Sequence, residues 1–183
     1  MNLKIKNLGI IQEINLSPKP LTIICGKNNS GKTYAMYSLW SIVELGFNAE
    51  FQQLETYAHQ LRKTGEVDIN LPSFFQENLH TMVESINNII PNLLPRSFNT
   101  SSDFFKDSEV KIEISFEEFL NHLQYNFDFE EISTFRLLNT KYHPETGNLK
   151  IYFRSNETRK FPAFLFTNFL KNLFSKKILS HFV

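Results

Sequence analysis

The chain of 183 residues contains one cysteine, Cys25, so no intramolecular disulfide can staple it. It has no apolar run long enough to cross a bilayer, since Phe164 to Phe174 is short and interrupted by Asn168, Lys171 and Asn172. The opening residues Met1-Asn2-Leu3-Lys4-Ile5-Lys6 lack the apolar stretch of a secretory signal, so a cytoplasmic location without a membrane span is expected. Nineteen basic residues balance nineteen acidic ones, which offers no support for strong nonspecific attraction to nucleic acid. The five histidines, His59, His80, His122, His143 and His181, fall at no metal-ligand spacing. Serine and histidine are scattered with no assignable nucleophile constellation. Cys25 itself lies in an apolar run, where it reads as a small buried hydrophobe. What the chain does have is apolar bulk: 42% hydrophobic residues, with nineteen phenylalanines, suffice for one core with room for a satellite lobe.

Against that background one segment carries chemistry. Gly26-Lys27-Asn28-Asn29-Ser30-Gly31-Lys32-Thr33 satisfies the phosphate-binding pattern G-x-x-x-x-G-K-[ST] at every defined position. Before it, Leu21-Thr22-Ile23-Ile24-Cys25 is a β-branched run expected as a buried parallel strand. After it, Ala35, Met36, Leu39, Trp40 and Val43 recur at helical spacing, predicting a helix that ends near Gly46. Gly26 and Gly31 allow the backbone to turn and its N–H groups to converge on an anion. The helix start near Lys32 adds free N–H groups and the positive end of a dipole. Lys32, the one candidate for a catalytic role, supplies a point charge against the β- and γ-phosphates, and the Thr33 hydroxyl is the expected Mg²⁺ ligand. Asn28, Asn29 and Ser30 contribute through backbone amides, and Tyr34 completes the nucleotide-binding set. Lys27 occupies a variable position, either as an added charge or as a solvated loop lysine. ATP with Mg²⁺ is the expected cofactor pair.

Two strand-like segments precede this core. Leu3 and Ile5 alternate with Lys4 and Lys6, Asn7-Leu8-Gly9 offers a turn, Ile10 to Leu16 forms a second segment, and Ser17-Pro18-Lys19-Pro20 breaks it. The stretch from Met1 to about Gly46, with "IKNLG" closing the first strand and "KPLTIICGKNNSGKT" at its centre, resembles the amino-terminal edge of the RecF, SMC and OLD branch of ABC-type P-loop ATPases. The resemblance covers about a quarter of the chain. It implies an α/β P-loop NTPase fold, an ABC-like head with an antiparallel ribbon before the phosphate-loop strand. It also implies two heads dimerising around nucleotide, as a homodimer or with a second ATPase or effector subunit, and work on DNA in repair or in defence against phage.

A complete head of that kind needs four apolar residues followed by Asp-Glu, and a Ser- and Gly-rich signature segment. Neither is found. Asp68 and Asp128 do not follow four-residue apolar runs, and Gly46, Gly65 and Gly147 form no cluster. Gln76 and Gln124 are only candidates for a γ-phosphate sensor. Either the chain is the amino-terminal part of a larger ATPase, completed by further chain or another subunit, or its later motifs have drifted; the first is favoured, and the head is expected to be incomplete. Hydrolysis is then expected only on completion. The alternative is a noncatalytic nucleotide-sensing interaction module.

Three regions are expected: residues 1–91 as the strand-loop-helix core with a helical insertion, 92–109 as a loop, and 110–183 as an α+β lobe ending in an apolar, basic helix. Phe51, Leu54, Tyr57, Ala58 and Leu61 predict a helix stopping near Gly65. Ser73 with Gln76 predicts a capping box for a second, ended by Pro91. This pair is either an insertion or, as favoured, ordinary packing on the head. Val110, Ile112, Ile114 and Phe116 alternate with polar residues as a half-buried strand, a short helix is expected over Glu117–Tyr125, and a hairpin joins arms near 135–142 and 149–154.

Charge divides unevenly, with nine acidic against three basic residues over 99–140 and eight basic against two acidic over 141–183. Lys150, Arg154, Arg159, Lys160, Lys171, Lys176 and Lys177 therefore form either a nucleic-acid footprint or, as favoured, a solvated or acid-paired face. The tail phenylalanines and leucines from Phe161 to Phe182 form either a membrane-surface stripe or, as favoured, a face for the rest of an ATPase or a partner chain.

Overall fold

A computed structural model describes residues 1–19, 21–45, 54–126, 138–154 and 164–171. The chain divides into two compact units that interleave in sequence. The first takes in residues 1–45 and His80–Ser115, and the second residues 54–79 with the described parts of 116–171. The division falls after Leu79 and Ser115, not at the loop expected over 92–109.

In the first unit, β1 (Asn2–Leu8) and β2 (Ile11–Leu16) form the expected antiparallel ribbon, with Leu3 opposite Leu16 and Leu8 opposite Ile11. The two-residue turn places Gly9 at φ +57°, a left-handed conformation that glycine adopts without penalty. β4 (Glu109–Glu113) pairs antiparallel with the other side of β1, giving the order β2-β1-β4. Period-two alternation sends Leu3, Ile5, Val110 and Ile112 to one buried face, and Leu8 is buried after the left-handed Asn7 (φ +50°) interrupts the alternation. α1 (Lys32–Leu45) follows the phosphate-binding segment.

In the second unit, α2 (Leu54–Thr64) buries Leu54, Ala58 and Leu61. It ends where Gly65, at φ +84°, donates its N–H to the Leu61 carbonyl at 2.8 Å. The short strand β3 (Glu66–Asn70), which the sequence did not announce, pairs with β6 (Asn148–Phe153), itself paired with β5 (Leu138–His143); the order is β3-β6-β5, all antiparallel. The expected hairpin is therefore present, with residues 135–137 of its first arm outside the described residues. α4 (Phe116–Asn126) is the expected short helix. Phe75 packs edge-on against Phe119 at 4.5 Å between centroids and against Phe74 at 5.2 Å, forming an aromatic core with Tyr57 beside Phe74. Helical residues 164–171 add buried Phe166, Phe169 and Leu170.

α3 (Leu71–Phe98) belongs in part to each unit and departs from expectation at both ends. Its cap is Asn70, whose Oδ1 accepts the Ser73 N–H at 3.0 Å, so Ser73 lies inside the first turn. At the other end the helix passes through Pro91 and Pro95. Each proline removes one backbone hydrogen bond, but Pro91 faces solvent while Met82, Ile86, Ile90, Leu93 and Leu94 continue one buried stripe. Packing of that stripe outweighs the lost bonds. The helix stops in a left-handed Asn99 (φ +49°), with Thr100 N–H bonded to the Pro95 carbonyl at 3.0 Å and Asn99 N–H to that of Arg96 at 3.3 Å, a Schellman closure. The loop expected from Asn92 thus begins only at Asn99.

The largest correction concerns Leu21–Cys25. No strand forms there: every pairing among the described residues is antiparallel and none includes this run. Leu21 is 80% exposed, Ile23 74%, and Cys25 is exposed rather than buried. A parallel strand is stable only between neighbours that bond its backbone and cover both faces, and none is described here. α1 differs correspondingly. Among its described side chains the buried positions are Ala35, Ser38, Leu39, Ser41 and Ile42, whereas Met36 and Trp40, expected inside, are about half exposed. The two buried serines are satisfied within the helix, Ser38 Oγ donating to the Tyr34 carbonyl and Ser41 Oγ to that of Tyr37.

Candidate functional site

The residues of the phosphate-binding pattern are brought together as one tight turn, Gly26 to Gly31, running into α1. Asn29 takes a left-handed conformation at φ +59° and Gly31 one at φ +87°. Gly31 is also sterically obligatory. A Cβ there would stand 2.6 Å from Ile11 Cγ1 and 3.3 Å from Ile10 Cγ2, because the tip of the β1–β2 hairpin packs directly on the loop. At the loop's other end a Cβ on Gly26 would meet Ser30 Oγ at 2.9 Å, so the two ends of the turn nearly touch.

Lys32 closes the turn from inside. Its Nζ donates to the carbonyls of Gly26 at 2.8 Å and Lys27 at 2.6 Å, with Ser30 Oγ at 3.5 Å. These acceptors are neutral, so the ammonium holds the loop's shape while its charge is left uncompensated by any carboxylate among the described residues. The first helical bond is from Ala35 N–H to the Gly31 carbonyl at 3.0 Å. Among the described residues, none accepts a hydrogen bond from the N–H groups of residues 27–34. The first turn of α1 carries no acidic side chain to occupy its positive end. The result is an exposed loop that combines N–H donors without protein acceptors, a helix start and one ammonium, a set of groups suited to a polyanion.

Individual side chains sort as follows. Lys27, Asn28, Asn29 and Ser30 are exposed, and Lys27 takes part through its carbonyl while its ammonium has no ion-pair partner among the described residues. Thr33 is exposed at the helix start with its hydroxyl free of protein partners among the described residues, as a metal ligand shared with phosphate oxygens and water requires. Tyr34 turns away into an aromatic group. Its ring stacks on Phe98 at 5.7 Å and 19° and on Phe104 at 6.1 Å and 14°, and a Cβ on Gly9 would fall 2.5 Å from it. Neither Phe98 nor Phe104 was legible as part of this neighbourhood, because both lie more than sixty positions downstream and no local spacing connects them to the loop.

The remaining sequence candidates do not join this site by any described contact. Asp68 is exposed on β3 and Gln76 exposed on α3; the Gln124 side chain and Asp128 lie outside what is described. Among the described residues no group of three His, Cys, Asp or Glu side chains is placed to hold a metal. Of the basic residues, Lys150 pairs with Glu66 at 2.7 Å, and Arg154 Nε donates to Asn139 Oδ1 at 2.7 Å. Glu66 bonding holds the Lys150 ammonium above its usual pKa, with burial opposing. Lys171 is half-buried, and Arg159, Lys160, Lys176 and Lys177 lie outside the described residues, as does most of the apolar tail. No helix among the described residues is long and apolar enough to cross a membrane. Compared with known proteins, the chain matches no protein-family model, no curated protein and no solved structure.

Proposed function

We propose that this protein binds a nucleoside triphosphate, ATP with Mg²⁺, in the loop from Gly26 to Tyr34. One observation carries the proposal: the N–H groups of residues 27–34 lack protein acceptors among the described residues, and the Lys32 ammonium at the same loop is held only by neutral carbonyls and a hydroxyl. Donors so arranged match the β- and γ-phosphates, with Lys32 moving from the loop carbonyls to phosphate oxygens. Thr33 Oγ1 would hold Mg²⁺ jointly with those oxygens and water. When bound, the metal would neutralise phosphate charge; the chain's own part is to orient the phosphates.

The broader proposal is an ABC-type head of the RecF, SMC and OLD branch that hydrolyses ATP only when completed by further chain or by a homodimeric, ATPase or effector partner. It is favoured by the state of Leu21–Cys25 and α1. Leu21, Ile23, Met36 and Trp40 keep their apolar surface in water, and burying such surface is worth about 25 cal/mol per Å². Parallel strands supplied from outside would turn the run into the strand its composition suits. Work on DNA or in phage defence, and a cytoplasmic location, belong to the same proposal. The noncatalytic sensing module remains a second reading, favoured by the same exposed face, which nucleotide occupancy would order for a partner.

Titration calorimetry with MgATP tests the first claim. The wild type should bind, and Lys32→Ala should lose roughly a hundredfold or more in affinity through removal of the charge-assisted contacts. Equal heats from both proteins, or none from either, would refute it. Single-turnover hydrolysis across a range of protein concentration separates the two broader readings: cleavage that rises with concentration supports the head, and binding without cleavage throughout supports the module.

A further inference from the structure

We infer that Phe104, backed by Tyr34, is the platform on which the nucleobase stacks, making the ligand a base-bearing nucleotide rather than an inorganic polyphosphate. The inference rests on the phosphate-loop proposal above. Tyr34 is two residues past Lys32 in the first turn of α1, so its aromatic group is tied to the phosphate loop through that turn. That ring is enclosed: Phe98 and Phe104 lie nearly parallel to it, and Gly9 approaches so closely that no Cβ fits. Of the two rings that stack on Tyr34, Phe104 is the more open, at 45% exposure, while Phe98 is half-buried and also carries Tyr37 at 5.4 Å.

The exposure of Phe104 is built. The 3-10 turn Ser102–Phe105 is pinned by Phe105, which is buried and packs edge-on against Phe98 at 5.4 Å and against Phe104 at 5.1 Å. Phe104 thus packs against Tyr34 and Phe105 and leaves part of its ring in water, an apolar surface joined through Tyr34 to the proposed seat of the phosphates. A flat aromatic ligand tethered to those phosphates can lie on it at little entropic cost. Stacking reads no particular base edge, so selectivity among bases is expected to be weak.

The test measures affinities of wild type, Phe104→Ala, Phe104→Leu and Phe104→Trp for MgATP and for magnesium tripolyphosphate by calorimetry, with thermal melts confirming that each variant is folded. Wild type should bind MgATP about tenfold or more tighter than tripolyphosphate, a difference in the range of one stacked base. Phe104→Ala and Phe104→Leu should each lose that excess while keeping tripolyphosphate affinity, and Phe104→Trp should retain it. Phe104→Leu preserves the apolar contact to Tyr34, so it stands in if the alanine variant fails to fold. Equal wild-type affinity for the two ligands, or unchanged MgATP binding in the leucine variant, would overturn the platform and leave the phosphate loop intact. No binding of either ligand by wild type would overturn both.

Discussion

The two units differ in where they keep their large apolar side chains. In the second, Phe74, Phe75, Phe119 and Phe166 are inside, and the outer face of its sheet carries cross-strand charge, with Glu66 against Lys150. In the first, β1 and β4 supply a buried face of similar quality, yet seven of the eight large hydrophobics most exposed among the described residues belong to it; Phe164 is the eighth. The same unit holds the loop whose N–H donors lack protein acceptors among the described residues. Among the described residues, the second unit keeps its large aromatic side chains inside, and the first leaves both N–H donors and apolar side chains facing solvent. The exposed apolar side chains forgo the stabilisation that burial would give, about 25 cal/mol per Å².

Substitutions can probe that contrast. The largest effect on stability should come from Phe75→Ala, which empties a fully buried site between Phe74 and Phe119. It should cost about 3–5 kcal/mol, read by urea denaturation; a loss below about 1 kcal/mol would mean that the second unit is not packed as described. Next is Gly31→Ala. Both the left-handed φ and the 2.6 Å approach of Ile11 oppose a Cβ, so a cost of about 1–3 kcal/mol is expected, together with weakened MgATP binding as the hairpin tip is pushed off the loop. If Gly31→Ala binds nucleotide normally, the hairpin does not brace the site. The smallest effect should come from Ile23→Lys. Since Ile23 already stands in water, the isolated chain should melt within about 0.5 kcal/mol of wild type. A strand buried as its composition suggests would instead lose several kcal/mol by accepting a lysine, and that outcome would show Leu21–Cys25 to be covered.

Local features of this fold were readable from residue order. The ribbon Leu3–Leu16, the half-buried strand at Val110 and Ile112, the helix over Leu54–Thr64 and the hairpin around Gly147 each depend on alternation, helical spacing or a turn residue within a few positions. Misreadings arose where a distant partner overrides a local signal. Ser73 and Gln76 resemble a cap, but Asn70 takes that role while its Nδ2 also donates to the Thr146 carbonyl and Asn148 Oδ1, more than seventy residues away. Pro91 looks terminal, but the stripe from Met82 to Leu94 carries the helix past it. Asn87 gave no signal at all, yet its amide brackets Ile112, accepting that residue's N–H at 2.8 Å and donating to its carbonyl at 3.0 Å. It thereby occupies the edge of β4 that would otherwise invite another strand.

For the candidate site the division is sharper. Eight consecutive residues are enough to specify a tight turn running into a helix, because φ preferences of glycine and asparagine and the start of a helix are properties of the immediate chain. Whether the run before that turn becomes a strand is not such a property: its hydrogen bonds and its cover must both come from other strands, so the same Leu-Thr-Ile-Ile-Cys can be a sheet centre or an exposed extended segment. Nor could spacing reveal that Ile11 forbids a side chain at Gly31, or that Phe98 and Phe104 gather on Tyr34, since those contacts exist only once segments remote in the chain have packed together.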